Sequence, residues 1–66
     1  MIYTVKIILK NKKELLYTNI RYIYFYESVQ HMSGYICLTD NNNKVIEEVL
    51  KYYMYDIENI IIKPNC

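Results

Sequence analysis

Val45-Ile46-Glu47-Glu48-Val49-Leu50-Lys51-Tyr52-Tyr53-Met54-Tyr55-Asp56-Ile57 decides the fold class, because the segment can be read as helix or as strand. Its apolar members Val45, Ile46, Val49, Leu50, Tyr53, Met54 and Ile57 recur at the spacing of one helical stripe. Asn42 or Asn43 is placed to cap such a helix, and Glu47 and Glu48 sit in the first turns, where the helix dipole favours acid. Glu47 also reaches Lys51 four residues on. Strand alternation over the same span breaks at the Glu47-Glu48 and Val49-Leu50 doublets. The period therefore predicts a helix over residues 44–55.

Outward from this segment the pattern turns to strand. Tyr3, Val5, Ile7 and Leu9 alternate with Thr4, Lys6, Ile8 and Lys10, the period of two that marks a half-buried strand. Residues 11–14 are a polar break of hairpin length, and residues 15–18 resume the extended pattern. Asn19 marks a bend or bulge. Arg21-Tyr-Ile-Tyr-Phe-Tyr-Glu27 is almost wholly aromatic and β-branched, which suits a pleated surface. A loop over residues 28–34 leads to a strand at 35–39, closed by the turn-rich Asp40-Asn41-Asn42-Asn43. A last strand, residues 58–63, stops at Pro64, which has no N–H for a ladder. The expected fold is α+β: a small antiparallel β-sheet with one C-terminal helix followed by a last strand, in a single domain over residues 1–66. An all-β small barrel is the alternative.

Sixty-six residues form one domain with a small core. Such domains usually need a disulfide, a metal or a partner chain. Cys37 and Cys66 offer one bridge at most, and Cys66 ends the sequence, so both are expected as free thiols. No CxxC pair or Cys/His cluster suggests zinc, and no cofactor is implied. Association, with homodimerisation as its simplest form, is the expected support. Met1 leads directly into alternating residues without a basic start and apolar block, and the longest aliphatic run is residues 60–62. A cytoplasmic protein without membrane contact is therefore expected. The net charge of +1 gives no argument for a polyanionic partner.

The composition carries a genomic bias. The chain has no alanine, one glycine, one proline and one arginine, but abundant isoleucine, lysine, asparagine and tyrosine, the residues of AT-rich codons. The nine tyrosines are thus partly mutational in origin. The opening Val5-Lys-Ile-Ile-Leu-Lys-Asn-Lys-Lys-Glu14, the middle Gly34-Tyr-Ile-Cys-Leu-Thr-Asp40 with its Asn41 turn, and the closing Asp56-Ile-Glu-Asn-Ile-Ile-Ile62 resemble short β-rich accessory proteins of phages and mobile elements of low-GC bacteria. The similarity spans most of the chain and rests on strand-and-turn chemistry. It departs at residues 47–55, where those proteins have a shorter, more strand-like link. The resemblance implies a small accessory factor, in some cases an inhibitor of host defence that docks on an enzyme.

The sharpest candidate site is a tyrosine face. In a strand, Ile23 and Phe25 point one way while Tyr22, Tyr24 and Tyr26 point the other. On the strand after the loop, Tyr35 shares a face with Cys37 and Thr39. Pairing the two strands would join the tyrosines into one surface, with His31 and Met32 protruding from the intervening loop. Tyr22, Tyr24, Tyr26, Tyr35, His31 and Met32 are the expected partner-binding residues. Three uses of the face compete. It is core beneath the helix, a protein contact surface for a host protein or a second copy, or a stacking platform for single-stranded nucleic acid. A single helix covers only one face of a sheet, which leaves the other as an apolar patch for association to cover.

The remaining motifs are weaker. Lys6, Lys10, Lys12 and Lys13 cluster near the first hairpin, a pattern that protects a sheet edge more often than it binds phosphate. His31 near Ser28 and Ser33 lacks a nucleophile motif and an orienting acid, so no enzyme is expected. Residues 40–43 lack the glycine and terminal glutamate of a calcium loop. The pairs Glu47 with Glu48, and Asp56 with Glu58, have no acid/base geometry, and Gly34 alone makes no phosphate loop.

Overall fold

The period of two in Tyr3–Leu9 produces β1, with Val5, Ile7 and Leu9 buried on one face. The computed structural model describes residues 1–28 and 33–65. β1 is followed by β2 (Glu14–Ser28), β3 (Ser33–Asp40) and β4 (Ile57–Pro64). All neighbours pair antiparallel, in the order β3-β2-β1-β4.

The fifteen residues of β2 are shared between two partners. β1 pairs with its first half, from Glu14 to Ile20, and β3 with its second half, from Ile20 to Ser28. Ile20 is the hand-over point, opposite Tyr3 on one side and Asp40 on the other. Register shifts flank it on both ladders, and Asn19 takes a left-handed conformation with φ 58°. The expected bend at Asn19 is therefore present. It does not divide the chain into two strands, as the sequence suggested, but kinks one long strand. The inward series on β2 accordingly runs Leu15, Tyr17, Ile20, Ile23 and Phe25, slipping phase twice.

Residues 44–55 are not an α-helix. A five-residue 3-10 helix, Glu47–Lys51, lies within them, and a three-residue one, Met54–Asp56, overlaps their end. The reason lies at the outer edge of β3, which offers unpaired backbone groups that a helix here would leave open. Val45 bridges Thr39, the Ile46 N–H donates to the Leu38 carbonyl at 2.8 Å, and Tyr53 bridges Tyr35. The segment is thus an interrupted ribbon beside β3. The Asx turn at its start also replaces the expected Asn cap. The Asp40 carboxylate accepts the N–H groups of Asn42 and Lys44, and neither 3-10 helix has a side-chain cap.

A 3-10 turn has about three residues per turn, so an α-helical stripe cannot stay on one face. Val49 is fully buried, whereas Leu50, Tyr53 and Val45 are exposed. The ribbon then reaches the other end of the sheet, where the Asp56 carbonyl accepts the Lys10 N–H and Ile57 opens β4 beside Leu9. It links the β3 edge to the β4 edge without a continuous ladder between them, so the closed small barrel is also set aside. The fold is an open, bent, mostly β structure. Val5, Ile7, Leu9, Leu15, Ile20, Ile36, Leu38, Val49 and Ile57 form its core. Cys37 on β3 is a free thiol, and the expectation for Cys66 lies outside the described residues.

Candidate functional site: an exposed tyrosine face

Beyond the bend, β2 and β3 pair Tyr22 with Thr39, Tyr24 with Cys37 and Tyr26 with Tyr35. Opposed residues of a ladder share a face, so these six form one surface. The alternate pairs, Ile23 with Leu38 and Phe25 with Ile36, face the core side. Leu38 and Ile36 are fully buried there, while Phe25 stays exposed at the end of the inner face. The covering ribbon therefore lies on the Ile36 and Leu38 side, and the tyrosines are not beneath it.

The rings form a continuous array. Tyr22 stacks with Tyr24 at 6.1 Å between centroids, Tyr24 meets Tyr26 at 6.3 Å, and Tyr26 stacks with Tyr35 at 5.3 Å. The Arg21 guanidinium lies 5.3 Å from the Tyr22 ring centre, a cation–π contact that closes one end. Tyr22, Tyr24 and Tyr26 keep 42%, 47% and 46% of their surface exposed, so the array is open to solvent.

Two members escaped the sequence reading. The bridge between Tyr35 and Tyr53 places Tyr53 beside Tyr35 on the same face. Tyr53 stacks in turn on Tyr55, 5.7 Å away with rings only 6° apart. Tyr53 had been assigned to the buried helical stripe, and Tyr55 to no site. The i, i+2 spacing shared by Tyr53-Tyr55 and Tyr22-Tyr24-Tyr26 is the signal that would have joined them. Of the expected partner-binding residues, Tyr22, Tyr24, Tyr26 and Tyr35 are thus brought together, while His31 and Met32 lie outside the described residues.

Other candidates divide differently. Lys6 pairs with Glu14 at 2.6 Å, and Lys12 pairs with both carboxylate oxygens of Glu58, at 2.8 and 3.0 Å. Two lysines of the basic cluster are therefore matched by acids across β1, β2 and β4. A cleft of about 450 Å³ lies between Leu9, Lys10, Asn11, Lys51, Tyr52 and Asp56. Its lining combines two lysines with one carboxylate and holds no nucleophile beside a base. Among the described residues no group of three His, Cys, Asp or Glu side chains could hold a metal ion. No helix there is long and apolar enough to cross a membrane.

Among the described residues, the titratable group with a clear shift is Tyr17. Its hydroxyl is shielded from solvent at the edge of the core and close to the Glu48 carboxylate, but makes no hydrogen bond of standard geometry. Burial first, and the nearby Glu48 carboxylate second, push its pKa up to about 12. The phenol is a half-buried neutral group with a shielded hydroxyl, separated from the exposed array by the bend.

No family model, curated protein or solved structure matches the chain.

Proposed function

We propose that the chain is a protein-binding module whose contact surface is the outer tyrosine face of β2 and β3. One observation carries this: Tyr22, Tyr24, Tyr26 and Tyr35 form a continuous ring array, its three β2 members open to solvent, on the side of the sheet left uncovered among the described residues. Tyrosine gives large apolar area with a polar tip and little side-chain entropy to lose, the properties of interface centres. An uncovered aromatic patch of this extent on so small a domain calls for a partner. The resemblance to phage and mobile-element accessory proteins supports the same direction, a factor that acts by occupying the surface of another protein. Binding, not catalysis, is the activity proposed.

Charge placement speaks against single-stranded nucleic acid as the ligand of this face. A stacking platform works together with a basic groove that follows the phosphates. Here Arg21 is the one cation stacked on a ring among the described residues, and the turn carrying Lys12 and Lys13 lies about ten residues of strand away, on the order of 30 Å of chain.

The test compares the wild-type chain with Tyr24→Ala and Tyr26→Ala as bait in a low-GC bacterial lysate, after circular dichroism shows the variants folded. A defined protein, either a lysate component or a differently tagged second copy of the chain added to the lysate, retained by the wild type and lost by both variants is the expected outcome. A salt-sensitive shift of single-stranded oligonucleotides, lost in the same variants, would move the assignment to nucleic acid.

A further inference from the structure

We propose that the partner on this face is a second copy of the same chain, docked face to face about a two-fold axis that passes near Tyr24 and Cys37. The inference rests on the reading of the tyrosine face as a contact surface and adds the identity of its occupant.

Area is the first argument. Tyr22, Tyr24, Tyr26, Tyr53 and Tyr55 retain between 42% and 58% of their surface. At about 200 Å² for a whole aromatic side chain, these five leave roughly 500 Å² open on one side of the sheet. A stable interface takes about 800 Å² from each partner, and the tyrosines alone supply more than half of it. Arg21, Tyr35, Cys37 and Thr39 border the same rings and add to the remainder.

Symmetry is the second. Tyr22, Tyr24 and Tyr26 are equally spaced along β2, with Tyr24 in the middle and Cys37 directly across from it. A two-fold axis through that centre lays Tyr22 of one chain over Tyr26 of the other. An evenly spaced row of one residue type is thus complementary to itself, the condition for an isologous contact.

Charge is the third. Arg21 stands at one end of the row, and no ionised side chain occupies its centre. Two copies can approach without like charges facing each other in the middle, and the face carries no charge pattern that would select an oppositely charged partner.

Sedimentation equilibrium over low to high micromolar concentration tests this on the full chain and on Tyr24→Lys. The expected result is twice the chain mass for the wild type and the single-chain mass for a folded Tyr24→Lys. A wild type at single-chain mass throughout overturns the second copy, while leaving the face available to another protein in the bait experiment. Twice the chain mass in both overturns it as well, because association would then use another surface. Should Tyr24→Lys prove unfolded, alkylation of Cys37 in a Cys66→Ser chain decides. A rate that falls as protein concentration rises supports shielding of Cys37 at the two-fold axis, and a concentration-independent rate rejects it.

Discussion

Gly34 shows how one residue sets the geometry of the candidate site. A Cβ at this position would lie 2.5 Å from the Tyr26 carbonyl oxygen, on the backbone of the partner strand. Only glycine lets β2 and β3 approach closely enough there to bring Tyr26 and Tyr35 into stacking distance. Gly34→Ala should therefore destabilise the domain by about 1–3 kcal/mol and disturb the Tyr26–Tyr35 pair, measurable by urea denaturation and by tyrosine ring shifts in NMR. Tyr17 presents the opposite case, a polar atom buried without a partner. Tyr17→Phe should raise stability by about 1 kcal/mol by removing that hydroxyl. The sign with pH follows from the raised pKa. Burial penalises only the ionised phenolate, so folding stability is unaffected by this titration below pH 10 and falls as pH rises from 10 to about 12, where the unfolded chain ionises first. Alkaline denaturation of Tyr17→Phe should be correspondingly shallower in that window. Neither effect was legible in the sequence. Gly34 is one glycine in a loop-like context, and the burial of Tyr17 depends on the packing of the ribbon. Asn19 was legible, because asparagine tolerates the left-handed conformation that a kinked strand needs.

At the scale of elements, β1 follows from alternation, β3 and β4 follow from short β-rich runs bounded by turn residues or Pro64, and the shared face of Tyr22, Tyr24 and Tyr26 follows from the period of two, though not its exposure. The ribbon of residues 45–56 does not. Its apolar spacing satisfies a helical stripe, and nothing local distinguishes a helix from a ribbon that spends its backbone groups on the edge of β3. The Val45, Ile46 and Tyr53 contacts with that edge are long-range, and they decide the outcome. Two substitutions distinguish the arrangements. A packed helix would bury Val49 and Leu50 together, whereas the 3-10 turn buries Val49 and leaves Leu50 38% exposed. Val49→Asp should abolish cooperative folding, since it places an unpaired charge in the core. Leu50→Asp should change the urea midpoint by little, within about 0.5 kcal/mol. Comparable loss from both would restore the helical stripe.

For the whole molecule, nine buried apolar residues among those described must hold a chain whose sheet is open along its β4 edge, only intermittently paired along its β3 edge, and bare on one aromatic face. A domain of this size has little stability to spare. Covering the tyrosine face would remove apolar surface from water at the place where the core supplies no cover, so association and folding are linked. If the second copy is the cover, the unfolding equilibrium releases two chains from one folded unit, and mass action favours the folded state as concentration rises. With an unfolding enthalpy of about 0.7 kcal/mol per residue, the thermal midpoint of such a dimer should climb by roughly 5 °C for each tenfold increase in protein concentration. A monomer shows no such dependence. Differential scanning calorimetry at several concentrations measures it directly, and Tyr24→Lys supplies the comparison. That variant should melt lower, because the dimer's contribution is gone, and at a temperature independent of concentration. A wild-type midpoint that stays fixed across the series would mean that the nine-residue core sustains the fold alone, and that the tyrosine face is held open for a different protein.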